Sequence, residues 1–264
     1  MPTPEITPGA PCWADLTTSD LENAKEFYAE IFGWTYETGD EEKYGGYTTA
    51  SKDGAPVAGL MRKTEDQAAM PDVWSVFLAS ADINATADAV AEAGGNVFMP
   101  PMEVPEQGHM AMFSDAGGAV FGAWQPGPMP GFSKVAEPGS PVWFELHTRA
   151  YEASVDFYRK ALGWETDVMS DTPEMRYTTL GAGRDARAGI FDATSALPDG
   201  MPNNWQIYWG VDDADEAIAK ATVRGATVLQ GPEDTPFGRL ATLTDPTGAV
   251  FKIMQDLRQG GQAE

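Results

Sequence analysis

The sequence predicts an α+β fold made of two tandem modules, each built from two βαβββ units, four units in all. Three observations carry that prediction. First, the chain is written twice. Pro11-Cys12-Trp13-Ala14-Asp15-Leu16 through Phe27-Tyr28 and Phe32-Gly33-Trp34 returns as Pro141-Val142-Trp143-Phe144-Glu145-Leu146 through Phe157-Tyr158 and Leu162-Gly163-Trp164, every pair 130 residues apart. Asp115, Gly118, Val120, Phe121 and Gln125 recur at the same offset as Asp245, Gly248, Val250, Phe251 and Gln255. Between these blocks Trp74 and Trp205, Gly94 and Gly225, and Val97 and Val228 stand 131 apart, so one residue is inserted and later removed. A period this long is a domain rather than a solenoid unit. Second, each copy divides into halves that read strand, helix, then strands. Third, Pro126-Gly127-Pro128-Met129-Pro130-Gly131 and Glu137-Pro138-Gly139 can neither continue a helix nor donate steadily to a sheet. The modules therefore span residues 9–126 and 139–257, joined by a Pro/Gly-rich linker over 127–138.

The elements follow in order. Cys12 to Thr17 alternates as a half-buried strand, and Ser19-Asp20-Leu21-Glu22 reads as a capping box. Leu21, Ala24, Tyr28 and Ile31 then form a helical stripe from about Asp20 to Phe32, which Gly33 ends. The matching helix runs from about Ala150 to Leu162 and stops at Gly163, with Thr148 as its cap. The second halves open on the strands Val73 to Leu78 and Trp205 to Trp209. Helices near Ile83 to Ala93 and Ala214 to Arg224 follow, ending at Gly94 and Gly225. Turns at Asp115-Ala116-Gly117-Gly118 and Asp245-Pro246-Thr247-Gly248 lead into closing strands, Ala119 to Trp124 and Ala249 to Met254. Gly181-Ala182-Gly183-Arg184 lacks the third glycine of a dinucleotide loop and reads as a hairpin turn. Asp40-Glu41-Glu42 reads as a solvated loop.

Composition removes several function classes. Forty acidic residues against 17 basic ones give a net charge of −23, which repels phosphate backbones and anionic lipid headgroups. Neither a nucleic-acid nor a membrane partner is expected. The start Met1-Pro2-Thr3-Pro4-Glu5 has no basic, apolar leader and no stretch is long and apolar enough to span a bilayer, which predicts a cytoplasmic protein. The single cysteine, Cys12, precludes an internal disulfide and a thiolate cluster and reads as buried filler. No Gly-x-Ser-x-Gly elbow, phosphate loop or His-Glu-x-x-His stands in the chain.

Four βαβββ units in series, with Phe-Tyr on the first helix of each module and Asp-x-x-Gly before its last strand, resemble the vicinal oxygen chelate superfamily of glyoxalases, bleomycin-resistance proteins and dioxygenases. The resemblance covers about residues 9–257 and is similar to two-module, glyoxalase-like actinobacterial proteins, some described as hydroxylases. It implies that paired units curl their sheets into half-open, mixed-sheet barrels, concave toward a ligand and covered by helices outside. It also implies one divalent ion, held by His, Gln or Glu from the first strand of each unit and by a carboxylate from the last.

That ligand set is mostly missing. The first-strand position falls on Trp13 and Trp143, whose indoles have no lone pair for a metal, and the last-strand position on Gly122 and Lys252. The second-unit position falls on Ser75 and Gln206, of which only Gln206 could serve. No cofactor is therefore predicted; the alternative is a divalent ion on Glu145, His147 and Gln206. Parity along the strands turns Trp13, Asp15 and Thr17 into one cup, and Trp143, Glu145 and His147 into the other. A plain His147–Glu145 hydrogen bond is the simpler reading of that pair. His109 and Arg239, matched positions before the closing strands, are candidates for the cup mouths. The barrels could close within each module or by exchange between modules, and only exchange would bring His147 to His109.

The expected function is metal-independent binding of a small organic molecule, aromatic or cationic, for resistance or detoxification. Trp13, Asp15, Trp143, Gln206, His109, Arg239 and Lys252 are its candidate contacts. The alternative is an enzyme of the lyase, isomerase or oxygenase type, with Glu145 as base and His147 or Lys252 stabilising an oxyanion. One module could also bind while the other buttresses it. Fused modules supply what single modules gain by pairing, so a monomer or a homodimer is expected.

Overall fold

The computed structural model describes residues 7–256. The first module runs β1 (Pro11–Thr18), α1 (Leu21–Phe32), β2 (Thr35–Thr38), α2 (Glu41–Tyr44), β3 (Thr48–Lys52), β4 (Ala55–Arg62), β5 (Val73–Ala79), α3 (Ile83–Glu92), β6 (Asn96–Val104), β7 (Gly108–Ser114) and β8 (Val120–Pro126). The second repeats it as β9 (Pro141–Thr148), α4 (Tyr151–Leu162), β10 (Thr166–Asp171), β11 (Arg176–Leu180), β12 (Ala188–Asp192), β13 (Asn204–Gly210), α5 (Ala214–Val223), β14 (Thr227–Thr235), β15 (Gly238–Thr244) and β16 (Val250–Gln255). The anticipated strands and four main helices are present.

Local details differ from the sequence reading in three places. Asp20, not Ser19, caps α1: its Oδ1 accepts the Asn23 N–H at 3.2 Å, while the Ser19 hydroxyl donates to Asp72 at 2.8 Å. Ala150 holds the cap position of α4 with no side-chain bond, and the Thr148 hydroxyl accepts from the Ala150 N–H at 2.9 Å instead. The acidic loop at Asp40 is a one-turn helix, because the Asp40 carboxylate accepts the Lys43 N–H at 2.8 Å and acidic residues suit a helix start. Gly33 and Gly163 end their helices as expected, at φ of 68° and 67°, a left-handed conformation that glycine adopts without a Cβ penalty.

Each module contributes one eight-stranded mixed sheet, ordered β2-β3-β4-β1-β5-β8-β7-β6 and β10-β11-β12-β9-β13-β16-β15-β14. The two units of a module join where β1 runs antiparallel to β5, and β9 to β13. Neither sheet closes on itself, and no strand is exchanged between modules. His147 and His109 therefore belong to different sheets.

The helix-facing strand residues, among them Ala14, Leu16, Leu78, Phe121, Leu146 and Phe251, are buried. Helices α1 and α4 lie between the sheets and pack on both. Phe27 and Tyr28 of α1 meet Phe251 of the second module with ring centroids 5.9 and 5.6 Å apart, and Tyr28 meets its own Trp74 at 5.5 Å. Phe157 and Tyr158 of α4 meet Phe121 of the first module at 6.1 and 5.7 Å. Trp74 and Trp209, one from each sheet, are 5.1 Å apart at the centre. Each such ring contributes roughly 1.5–3 kcal/mol when fully buried, so one core serves both modules. Trp34 and Trp164 are core residues with crossed anchors: Trp34 Nε1 donates to the Gly139 carbonyl at 2.7 Å, and Trp164 Nε1 to that of Gly9 at 2.9 Å.

The linker packs closely. Phe132 sits with its ring 5.5 Å from both Trp13 and Phe144, and its N–H donates to the Cys12 carbonyl at 2.8 Å. Trp124 Nε1 donates to the Met129 carbonyl at 2.9 Å. The linker thus straps one end of the first cup.

Candidate functional site

The register places one side chain from each central strand on the concave face. In the second module Glu145 lies opposite Gln206 and Gly189, His147 opposite Asn204 and Phe191, and Tyr208 opposite Trp143 and Lys252. The Glu145 carboxylate is the hub. Oε1 accepts from the Tyr177 hydroxyl at 2.7 Å, and Oε2 accepts from the Tyr208 hydroxyl at 2.7 Å. His147 Nε2 lies 2.5 Å from Oε2. Lys252 Nζ donates to Tyr208 Oη at 3.0 Å and stands 3.4 Å from His147 Nε2. Trp143 Nε1 donates to Tyr177 Oη at 2.9 Å.

Burial alone would raise the Glu145 carboxyl, but the bond and charge of His147, the charge of Lys252 and the Tyr177 bond outweigh it and hold it at about 2. Burial, with the charge of Glu145 beside them, keeps Tyr177 and Tyr208 protonated well above the usual phenol range. Lys252 is lowered by burial, which Glu145 partly offsets.

The first cup repeats this plan with fewer charges. The Asp15 Oδ1 accepts from the Tyr47 hydroxyl at 2.5 Å and from Trp13 Nε1 at 2.9 Å, while Trp13 Nε1 also donates to Tyr47 Oη at 2.7 Å. Burial pushes Asp15 up to about 6 against these bonds. Phe77 replaces Tyr208, and Gly122 replaces Lys252. A Cβ added at Gly122 would stand 2.2 Å from the Phe77 ring, so that ring covers the position. Trp13 and Phe77 are 4 % exposed, and with Phe132 over Trp13 the first cup is filled at its floor.

The candidates therefore separate. Trp143, Glu145, His147 and Lys252 converge in one network, and Trp13 with Asp15 forms another. Gln206 shares the second cup's face, but its amide donates to Asn204. His109 and Arg239 do not line a cup mouth, which corrects the expectation. On β7 and β15 the inward positions are Met110, Met112, Leu240 and Thr242, opposite Trp124, Gly122, Met254 and Lys252, and parity sends His109 and Arg239 to the helix side. Arg239 pairs there with Asp215 at 3.1 Å and Asp234 at 2.6 Å.

Sequence reasoning missed Tyr47, Tyr177, Tyr208, Gly59 and Gly189. The signal was available: Tyr47 and Tyr177, like Gly59 and Gly189, are pairs 130 residues apart. The glycines exist for the tyrosines, since an added Cβ would meet the Tyr47 hydroxyl at 1.7 Å and the Tyr177 hydroxyl at 2.0 Å. A larger hollow of about 230 Å³ lies outside the cup, between α4 and the β10–β11 hairpin. Its polar groups are satisfied among themselves: Arg176 stacks 4.4 Å above Tyr151 and pairs with Glu152 and Asp171.

Two modules of paired βαβββ units, each curling a mixed sheet around a cup, define a glyoxalase-type protein, and the chain belongs to the Glyoxalase/Bleomycin resistance protein/Dioxygenase superfamily, which it matches over residues 12–122 and 140–253. It is 36% identical over 270 residues to the anthracycline biosynthesis protein DnrV of Streptomyces peucetius, covering 97% of this chain and 96% of that one. It is 35% identical over 258 residues to CFP32 of Mycobacterium tuberculosis, provisionally named a glyoxylase, covering 97% and 98%. In fold it is similar to the Mn(II)-bound glyoxalase from Novosphingobium aromaticivorans, with a TM-score of 0.63 at 19% identity over 95% of this chain and 83% of that one. The 2,3-dioxygenase LapB from Pseudomonas sp. KL28 aligns with a TM-score of 0.62 at 12% identity over 95% and 93%.

The residues here do not fit such an ion. At the first-strand positions the indole N–H groups of Trp13 and Trp143 point at phenol oxygens. The last-strand positions hold Gly122, covered by Phe77, and an ammonium group. Among the described residues no three His, Cys, Asp or Glu side chains converge to hold a metal, and the Gln206 amide beside Glu145 and His147 is engaged with Asn204. Lys252, 3.4 Å from His147 Nε2, would also repel a dication.

Proposed function

We propose that the protein binds a small, planar organic molecule in the second module's cup, without a resident metal ion, and that the first module buttresses it. The observation that carries this reading is the position of Lys252. Its ammonium stands where the family resemblance places a metal-ligating carboxylate, 3.0 Å from Tyr208 Oη. Tyr208 lies against it, its ring centre 4.8 Å from Nζ, and Trp143, Tyr177 and Phe191 add linked aromatic groups on the same sheet; such walls suit a flat ring. Lys252 and His147 offer donors to a carbonyl or phenolic oxygen of the ligand. The relatives named for anthracycline biosynthesis support a polycyclic aromatic ligand. A net charge of −23 would draw cationic examples to the surface. Sequestration or detoxification in the cytoplasm is the role this reading assigns.

The test is quenching of tryptophan emission by an anthraquinone glycoside and by ethidium. Saturable quenching that survives chelator and weakens at least about tenfold in Lys252→Met is expected, a loss of roughly 1.4 kcal/mol or more. Quenching that never saturates, or that chelator abolishes, overturns the reading.

A second reading, catalysis of the lyase, isomerase or oxygenase type, is favoured by one observation. Tyr208 Oη links Glu145 to Lys252, and His147 Nε2 touches both, which makes a path for a proton. A carboxyl held at about 2 is a weak base, so His147 would take the proton and Glu145 would orient it.

A further inference from the structure

We propose that Lys252 is a nucleophile that forms an imine with an aldehyde or ketone carried by the molecule in the second cup. This rests on the reading of that cup as the ligand site and adds a covalent step to it.

Lys252 differs from six of the other seven lysines in what surrounds it. Of the eight lysines in the sequence, Lys25, Lys43, Lys63, Lys134, Lys160 and Lys220 pair directly with carboxylates. Among the described residues Lys252 forms no such pair. Its nearest polar atoms are a phenol oxygen at 3.0 Å and an imidazole nitrogen at 3.4 Å, and its Nζ lies 4.8 Å from the centre of the Tyr208 ring. The carboxylate that could have gripped it, Glu145, is already occupied by Tyr177, Tyr208 and His147. An ammonium group whose nearest partners carry no negative charge, in a partly desolvated site, gives up its proton more readily than one held by a carboxylate. Burial lowers this lysine accordingly.

The site also has room and proton carriers. A hollow of about 60 Å³ opens beside the amine, lined by Tyr208, Gln230, Glu233, Leu240 and Thr242 as well as Lys252. That space admits a carbonyl carbon and its nearest substituents. The first module has no equivalent, because Gly122 takes the place of Lys252.

The step balances without oxidant or reductant. The Nζ lone pair forms a bond to the carbonyl carbon as the C=O π pair moves onto oxygen. His147, having taken the proton of the Lys252 ammonium, gives it to that oxygen and then takes one from the nitrogen, leaving a neutral carbinolamine. The same imidazolium returns this proton to the hydroxyl, which leaves as water while the nitrogen lone pair closes the C=N bond. The iminium N–H proton then returns to the base. The net change is one amine and one carbonyl converted to one imine and one water.

The test uses the full chain with 2-naphthaldehyde as probe and cyanoborohydride to reduce any imine to a stable secondary amine, followed by peptide mass mapping. At equimolar aldehyde, Lys252 is expected to carry about tenfold or more adduct than any other lysine, because its amine gives up its proton more readily. Glu145→Gln, which removes the charge that favours the ammonium form, should label several-fold faster. Quenching by 2-naphthol, which has no carbonyl, is measured in parallel. Saturable 2-naphthol quenching with Lys252 labelled no more than its fellows overturns the imine and leaves the binding reading standing. No saturable quenching together with uniform labelling overturns both. The wild-type mapping needs no variant to fold, and Lys252→Arg, which retains the charge, is expected to remove the preferential adduct.

Discussion

Tyr28 Oη, on the first helix of one module, donates to Asp245 Oδ2 of the other at 3.0 Å while accepting from Trp74 Nε1 at 2.9 Å. The same lock recurs with the modules reversed, where Tyr158 accepts from Trp205 Nε1 at 2.9 Å and bonds Asp115. The two residue types that identify the family in sequence, the helix Phe-Tyr and the turn aspartate, thus meet across the module boundary. Tyr28→Phe leaves a buried indole N–H and a buried carboxylate short of a partner. It should cost about 1–3 kcal/mol in urea unfolding, with Tyr158→Phe similar. Because one core serves both sheets, unfolding should remain a single transition, and two resolved transitions would contradict the shared core.

Asp15 should make the first module less stable as pH rises. Its folded value of about 6 lies above its ordinary 3.8. The group's contribution is therefore fully present below pH 3.8 and is lost as pH rises through 6. Asp15→Asn, which retains an acceptor for Tyr47 and Trp13, should be more stable than wild type at pH 7.5 by about 2 kcal/mol and indistinguishable from it near pH 3.5. Thermal melts across that range provide the measurement.

Glu145 acts in the opposite sense. Held at about 2, below its ordinary 4.5, it contributes stability above pH 4.5 that disappears as pH falls toward 2. Glu145→Gln should therefore destabilise the protein by about 2–3 kcal/mol at pH 7 and flatten the acid limb of its stability profile. An unchanged acid limb would place the stabilisation elsewhere.

Gly59→Ala tests the tyrosine platforms. The new methyl would overlap the Tyr47 hydroxyl and come within 2.3 Å of Asp15 Oδ1, so the ring must leave its place. We expect a loss of about 1–3 kcal/mol, and a lower Tm for Gly189→Ala through Tyr177. Combining Gly59→Ala with Tyr47→Phe should recover part of the loss, since the Oη is the atom struck.

The strands, the helices, the doubled modules and the inward parity of Trp13 and Trp143 were legible in the sequence because they rest on local periodicity and on a repeat at constant offset. The tyrosines of the cups were legible only in hindsight. Tyr47 and Tyr177 lie on second-rank strands whose pairing to β1 and β9 is nonlocal, and periodicity does not say which distant side chain reaches a given carboxylate. His109 and Arg239 were misplaced for the same reason: the phase of β7 and β15 depends on their pairing with β8 and β16.

The repeat and the periodicity determined that this chain folds as two modules of paired βαβββ units, and the family resemblance added that they are glyoxalase-type, with indoles where family ligands would stand. Only the tertiary structure decided that each cup forms from the open sheet of its own module, that the modules share one aromatic core, and that Lys252, Tyr208, His147 and Glu145 meet in a single network. The physical reason is that backbone pairing and side-chain periodicity are encoded within short segments, whereas the meeting of residues 107 positions apart, from Glu145 to Lys252, is set by strand register and by the burial of both sheets against a common core.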